Sequence, residues 1–134
     1  MKWDINGKEF QFLIGKQQEY ENPNAEEEEN ILKEYIKDFK NKKFHIEHNS
    51  KNYSTLCYRD YDIIRFKYGS IGKWIEIFIV PKYKNKYIDN SLFNEQANTN
   101  QLYWHSSIKN IKDLKKFNDI VIEDIKFIDE EADK

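Results

Sequence analysis

Hydrophobic and polar residues alternate with a period of two through the middle of the chain, which is the pattern of β-strands with two different faces. The alternation occurs in the segments 44–47, 53–59, 61–68 and 74–80. The last segment carries hydrophobic residues on both faces, and Pro81 follows it directly. We therefore predict an antiparallel meander of about four strands, with 74–80 as the central strand and Pro81 ending it.

Two other segments have hydrophobic residues three and four positions apart, which is the period of an amphipathic helix. The first helix is predicted to begin at Asn24, a good N-cap residue, with Glu27 at the capping-box position. The glutamates at 26–29 are interpreted as a helix start, where the helix dipole favours negative charge, rather than as an acidic site for a partner.

The second helix is predicted to begin near Asn110, with Asp113 at the capping-box position, and to run to about Ile128. The residues expected to face the core are Ile111, Leu114, Phe117, Val121, Ile125 and Ile128, widened by Ile120 and Ile122. Residues 129–134 form a polar tail that we expect to fray.

The other segments are a hairpin, a long connection and a short edge strand. Residues 3–12 predict a β-hairpin, because Asn6 and Gly7 suit the centre of a type I′ turn. Residues 82–100 are polar and longer than most connections, so we expect any functional loop there. Residues 102–104 are predicted to form a short edge strand.

Together these patterns predict a single α+β domain over residues 1–134, an antiparallel β-meander with an N-terminal β-hairpin packed against two α-helices. A chain of 134 residues is long enough to enclose one core. The aromatic content of 16% argues against disorder, since disordered chains are poor in aromatic residues.

The charges are nearly balanced, with 22 Lys and Arg against 24 Asp and Glu and a net charge of −2, so no overall field attracts nucleic acid or anionic lipid. Nearly all of the basic residues are lysines, so a cluster of lysines is weak evidence for a binding site. The single cysteine, Cys57, cannot form an internal disulfide. No apolar run suits a signal peptide or a membrane span, and we expect a cytoplasmic protein.

Two groups of residues could hold a metal ion. His45 and Glu47 share a strand face, but a metal site would also need Cys57 from the next strand. We therefore interpret His45 and Glu47 as exposed strand residues and not as metal ligands. Asp60 or Asp62 with Glu76 is reminiscent of a metal-dependent nuclease, although the lysine expected two residues after the second acid is absent.

No nucleophile is indicated either. Cys57 has no adjacent base, and Ser106 and Ser107 are interpreted as residues that help to cap or turn before a helix. The four glycines are not arranged to cradle a phosphate. The sequence therefore predicts no catalytic residue, no cofactor and no metal site, and a protein that is not an enzyme.

Two kinds of binding surface remain. Basic residues interleaved with aromatic ones on a sheet are typical of single-strand nucleic-acid binding, and large aromatic residues are typical of protein interfaces. The candidate partner-binding residues are Arg65, Lys67, Lys73, Lys82, Tyr83, Lys84, Lys86, Tyr87, Tyr103 and Trp104.

We expect a non-enzymatic protein that docks on a protein or ribonucleoprotein partner, in the manner of an inhibitor, an immunity protein or an anti-defence protein of a mobile element. The alternatives are a nucleic-acid-binding module that uses the Lys- and Tyr-rich surface, and then a metal-dependent nuclease-like hydrolase. The oligomeric state is not predicted.

Overall fold

A five-stranded antiparallel sheet organises the chain, in a computed structural model that describes residues 22–40, 43–88, 93 and 102–134. The strands are β1 (Phe44–Glu47), β2 (Ser54–Tyr58), β3 (Tyr61–Tyr68), β4 (Lys73–Phe78) and β5 (Tyr103–Ser107). They lie side by side in chain order, so the predicted α+β class and the antiparallel meander are confirmed. The hairpin predicted at 3–12 lies outside the described residues.

Among the described strands the central one is β3, and the prediction that 74–80 occupies the centre is wrong for this part of the chain. Of the described strands, only β5 lies beyond β4, whereas β1, β2 and β3 lie on the other side of β4. The predicted edge strand at 102–104 is confirmed as β5, although it begins at Tyr103 and extends to Ser107. β4 ends at Phe78, and Pro81 begins a short 3-10 turn over Pro81–Tyr83.

Strand register gives the sheet one hydrophobic face and one polar face. A single cross-strand row on the hydrophobic face runs through all five strands, and it consists of Ile46, Leu56, Ile64, Ile77 and Trp104. Helix residues cover this face and share one buried cluster with it. The row on the other face consists of Glu47, Thr55, Arg65, Glu76 and His105.

The helices are α1 (Ala25–Ile36), α2 (Lys84–Ile88) and α3 (Asn118–Ala132), and a 3-10 segment over Ile111–Phe117 leads into α3. The capping box predicted at Asn110 and Asp113 is confirmed. The one predicted at Asn24 is wrong, because the Asn24 side chain makes no cap hydrogen bond and its Oδ1 instead accepts one from Lys67 Nζ at 3.0 Å.

The buried stripe of the second helical segment differs from the prediction. Ile111 and Ile122 are 47% and 54% exposed. With 3.6 residues per turn, Ile122 points away from the side on which Ile120 and Val121 are buried. The residue at the middle of the buried side is Asp124, which is 0% exposed.

The predicted fraying of residues 129–134 is also wrong for most of that segment. α3 continues to Ala132. Asp129 accepts hydrogen bonds from Tyr58 Oη at 2.8 and 2.9 Å and from Arg59 Nε at 2.9 Å. These bonds hold the end of α3 against the turn between β2 and β3.

Candidate functional site

The polar face of the sheet carries a group of aromatic and charged side chains next to β5. We call this group the aromatic–charged patch, and it consists of Tyr53, Arg65, Trp74, Glu76, Tyr103 and His105. Cross-strand register brings them together, since Arg65 pairs with Glu76, and Glu76 pairs with His105. All six side chains are partly exposed.

Arg65 is held at the middle of the patch. Its guanidinium carbon lies 4.3 Å from the ring centroid of Tyr103 and 5.9 Å from that of Tyr53. Its Nη1 lies 3.7 Å from Glu76 Oε1, and the other oxygen of Glu76 lies 3.1 Å from His105 Nδ1. A cation above an aromatic ring is stabilised by the ring quadrupole, so both rings favour the position that the guanidinium occupies.

Trp74 completes the patch on its other side. Its ring centroid lies 5.3 Å from that of His105 and 5.9 Å from that of Tyr53. The patch therefore presents large, rigid side chains on a sheet, and such side chains can contact a partner with little loss of conformational entropy.

The predicted binding residues Arg65, Lys67 and Tyr103 do lie on this face. Lys73 does not, because it pairs with Tyr68 on the opposite face, and its Nζ lies 5.1 Å from the centroid of the Tyr68 ring. Tyr53, Trp74, Glu76 and His105 belong to the patch but were not among the predicted residues. Period-two alternation puts Trp74 and Glu76 on one face, but the pairing of β4 with β5 is not evident from sequence.

Two predicted binding residues lie in the core, so neither offers its side chain to a partner. Trp104 is 1% exposed because alternation in β5 puts it on the hydrophobic row beside Ile77. Tyr87 is 5% exposed and packs edge-on against Phe93. Burial raises the pKa of Tyr87, and its hydroxyl donates to Glu123 Oε1 at 2.8 Å.

The start of the predicted functional loop is folded. Lys82 and Tyr83 lie in the 3-10 turn, and Lys84 begins α2. Lys86 pairs with Glu123 on α3, and this bond raises the pKa of Lys86. Lys82 and Lys84 are exposed. The segment therefore rests on α3, and most of 89–100 lies outside the described residues.

A second group of polar side chains lies on the same face at the β1 side of the sheet. We call it the cross-strand cluster, and it consists of His45, Glu47, Cys57 and Asp62. His45 stands directly opposite Cys57, and Cys57 stands directly opposite Asp62 on its other side. The ligand-type atoms of His45, Glu47 and Cys57 all lie within 4.8 Å of one another.

Direct contacts link the members of the cross-strand cluster. His45 Nε2 lies 3.0 Å from Glu47 Oε2, and Cys57 Sγ donates to Asp62 Oδ1 at 3.3 Å. Burial raises the pKa of the Cys57 thiol, and the neighbouring Asp62 and Glu47 carboxylates raise it further. The thiol is thus a poor nucleophile.

The nuclease-like arrangement is not assembled. Glu76 is occupied by Arg65 and His105. Asp62 lies three residues along β3 from Arg65, which is roughly 10 Å at 3.3 Å per residue, so the two carboxylates do not converge on one ion. The two serines proposed to cap a helix lie in β5 instead, and that interpretation is also wrong.

One buried carboxylate ties α1 to the sheet. Glu28 is 0% exposed, and it accepts hydrogen bonds from Asn22 Nδ2 at 2.8 Å, Ser54 Oγ at 2.7 Å and the Tyr68 backbone N–H at 2.8 Å. The acidic run does start a helix as predicted, but this member of the run also joins two strands.

A serine, a histidine and a glutamate follow one another beside Glu28, in an order that resembles a catalytic triad. Ser54 Oγ lies 3.1 Å from His48 Nδ1, and His48 Nε2 lies 2.6 Å from Glu29 Oε1. However, Ser54 is buried and gives its only proton to Glu28. The arrangement therefore connects α1 to the sheet and does not expose a nucleophile.

None of the described helices has the length and apolar character needed to cross a membrane.

Comparisons with known proteins give no relative for this chain. No protein-family model, no curated protein and no solved structure matches the chain.

Proposed function

We propose that this protein acts by docking on a protein partner through the aromatic–charged patch, and that it works by binding and not by catalysis. The observation that carries the proposal is the position of the partly exposed Arg65 guanidinium, which lies 4.3 Å from the Tyr103 ring centroid at the middle of the patch. Arginine, tryptophan and tyrosine are the residues that contribute most to protein interfaces.

The charge of this face favours a protein over a nucleic acid. The basic residues of this face are Arg65 and Lys67, and the three carboxylates of Glu47, Asp62 and Glu76 outnumber them. Nucleic-acid surfaces need uncompensated positive charge, because phosphate contacts provide most of the affinity.

The patch suits a partner that presents a carboxylate beside an apolar side chain. Among the described residues, the shortest polar contact of the Arg65 guanidinium is the 3.7 Å ion pair with Glu76, which is too long for a hydrogen bond. Its N–H donors can therefore still bind a carboxylate of a partner. Tyr53 and Trp74 offer adjacent ring faces to the apolar group. An inhibitor, immunity or anti-defence protein acting in the cytoplasm would have this kind of surface.

The proposal is tested by mapping where the partner binds. A photo-crosslinking residue is introduced at Tyr103 in one variant and at Lys126, which is exposed on α3, in another. Both are exposed to lysate of the source, and the captured proteins are identified. We expect a protein partner to crosslink from position 103 and not from position 126.

Affinity for the identified partner is then measured with matched variants. Arg65→Ala and Trp74→Ala are each expected to weaken binding about 30-fold or more, as hot-spot residues do, whereas Lys126→Ala stays within about twofold of the wild type. Capture from position 126 alone, or unchanged binding by Arg65→Ala and Trp74→Ala, would show that the patch is not the docking surface.

A nucleic-acid-binding module is the second candidate, because Lys82 and Lys84 are exposed beside Tyr83, where the Lys82 ammonium lies 5.2 Å from the ring centroid. In that case the captured molecule is lost on nuclease treatment, and affinity falls steeply with salt. Changing Lys82, Lys84 and Lys86 together to Glu should then abolish binding, and unchanged binding would rule out this surface.

A further inference from the structure

The cross-strand cluster has the composition and placement of a metal site, and we propose that it binds a zinc-type divalent ion. This site lies on the same sheet face as the aromatic–charged patch but shares no residue with it. The two sites touch where the Tyr103 hydroxyl donates to the Asp62 backbone oxygen at 2.7 Å, but the metal proposal does not require the proposed function.

The first argument is the convergence of three different side chains from two strands. His45 and Cys57 are direct cross-strand partners, and Glu47 follows two residues later on the same face. Zinc binds nitrogen, sulfur and oxygen at about 2.0–2.3 Å, which places its ligand atoms roughly 3.3–3.8 Å apart. The ligand-type atoms here lie within 4.8 Å of one another, so a movement of at most about 1 Å is needed.

That movement is available at the surface. The side chains of His45 and Glu47 are 47% and 43% exposed, so each can rotate toward the thiol without disturbing the core. Cys57 is only 1% exposed and lies within a strand, so it is the least mobile of the three ligands. Asp62 does not belong to that set of three, but its Oδ1 lies 3.3 Å from the sulfur, which makes it the candidate for a fourth ligand.

The second argument is the chemistry of the donors. A thiolate with an imidazole and carboxylates suits zinc and related transition metals, whereas magnesium and calcium prefer oxygen ligands alone. Glu47 and Asp62 concentrate negative charge around the thiol, and a divalent cation would neutralise that charge. On binding, the Cys57 S–H bond breaks, the S–metal bond forms and the proton leaves to solvent.

A metal in this position would join β1 to the rest of the sheet. β1 has four residues and pairs with β2 alone among the described strands. His45 and Glu47 come from β1, whereas Cys57 and Asp62 come from β2 and β3. The ion would therefore cross-link three neighbouring strands of the described sheet.

The test uses the full chain without a histidine tag, stripped of metal. Titration with Zn²⁺ by calorimetry should give a single site, and Co²⁺ should produce a thiolate-to-cobalt charge-transfer band together with the visible bands of tetrahedral cobalt. Zinc should also raise the melting temperature, because it binds the folded state. A folded wild-type protein that shows neither heat nor a cobalt band would refute the site.

Variants separate the site from adventitious binding. His45→Gln and Glu47→Gln alter exposed side chains and should keep the fold, and each should weaken zinc binding at least about tenfold. Cys57→Ser should remove the charge-transfer band. His105→Gln is the matched control, since it removes a histidine that lies four strands from His45, roughly 19 Å at 4.8 Å per strand. Zinc binding that survives His45→Gln, or that is lost in His105→Gln, would overturn the assignment.

Discussion

Replacing Asp124 by asparagine should make the protein more stable at neutral pH. The Asp124 side chain is 0% exposed, and neither of its oxygens has a hydrogen-bond partner among the described residues. Burial raises the pKa of Asp124 from 3.8 to about 9, and the neighbouring Glu123 contributes to the shift. The folded protein must therefore keep a proton on this carboxyl where the unfolded chain releases it.

The magnitude follows from the two pKa values. Between 3.8 and about 9 the folded state binds one proton more than the unfolded state, so stability falls by about 1.4 kcal/mol per pH unit. The stability linked to this proton is complete below pH 3.8 and is lost as the pH rises through about 9. At pH 7, about 3 units above the unfolded pKa, the loss is about 4 kcal/mol. Asparagine does not titrate, so Asp124→Asn avoids this loss.

Urea denaturation at several pH values between about 5 and 8 measures the effect. With a slope of about 2 kcal/mol per molar urea, a gain of 4 kcal/mol moves the midpoint up by about 2 M at pH 7. The gain should shrink toward pH 4. Glu130→Gln, an acid-to-amide change at an exposed position of α3, is the control and should change little. A variant no more stable than the wild type at pH 7, or a gain that stays constant with pH, would refute the reasoning.

Other substitutions test contacts that hold the helices. Glu28→Ala leaves three donors without their acceptor and should lower the free energy of unfolding by about 3 kcal/mol, while exposed Glu27→Ala stays within about 0.5 kcal/mol, both by urea denaturation. Asp129→Ala removes the acceptor of Tyr58 and Arg59 and should cost about 2 kcal/mol in thermal unfolding; an unchanged melting temperature would contradict it. Asn110→Ala removes a capping box and should cost about 1 kcal/mol by the same assay, and no loss would show that the cap is not used.

The periodic parts of the fold could be predicted because each depends on neighbours in sequence. Alternation identified β1 to β4, and the Asn110–Asp113 pair identified the start of the second helical segment. The central strand could not be predicted in this way, since its place depends on where β5 joins after a long connection. Asp124 was missed for a related reason, because a polar residue among hydrophobic ones gives no sign of which side of a helix it occupies.

Predicting the two candidate sites required cross-strand register. Sequence indicated that Arg65 and Lys67 share a face, and that His45 and Glu47 share a face. It did not indicate that Glu76 and His105 stand beside Arg65, because those partners lie on β4 and β5, and β5 follows a long connection. Aromatic residues also misled the prediction, since Trp104 and Tyr103 are adjacent in sequence but alternate between core and surface.

The strongest example of this dependence is the β-bulge between Leu56 and Cys57. Leu56 pairs with Ile64, and an unbroken register would set Cys57 opposite Ile63; the bulge sets it opposite Asp62 instead. One extra residue in β3 thus replaces an isoleucine with a carboxylate beside the thiol. The same bulge buries Ile63 at 0% exposure. The burial of Ile63 and the position of the Asp62 carboxylate beside the Cys57 thiol therefore have one origin. Neither can be predicted from residue types alone.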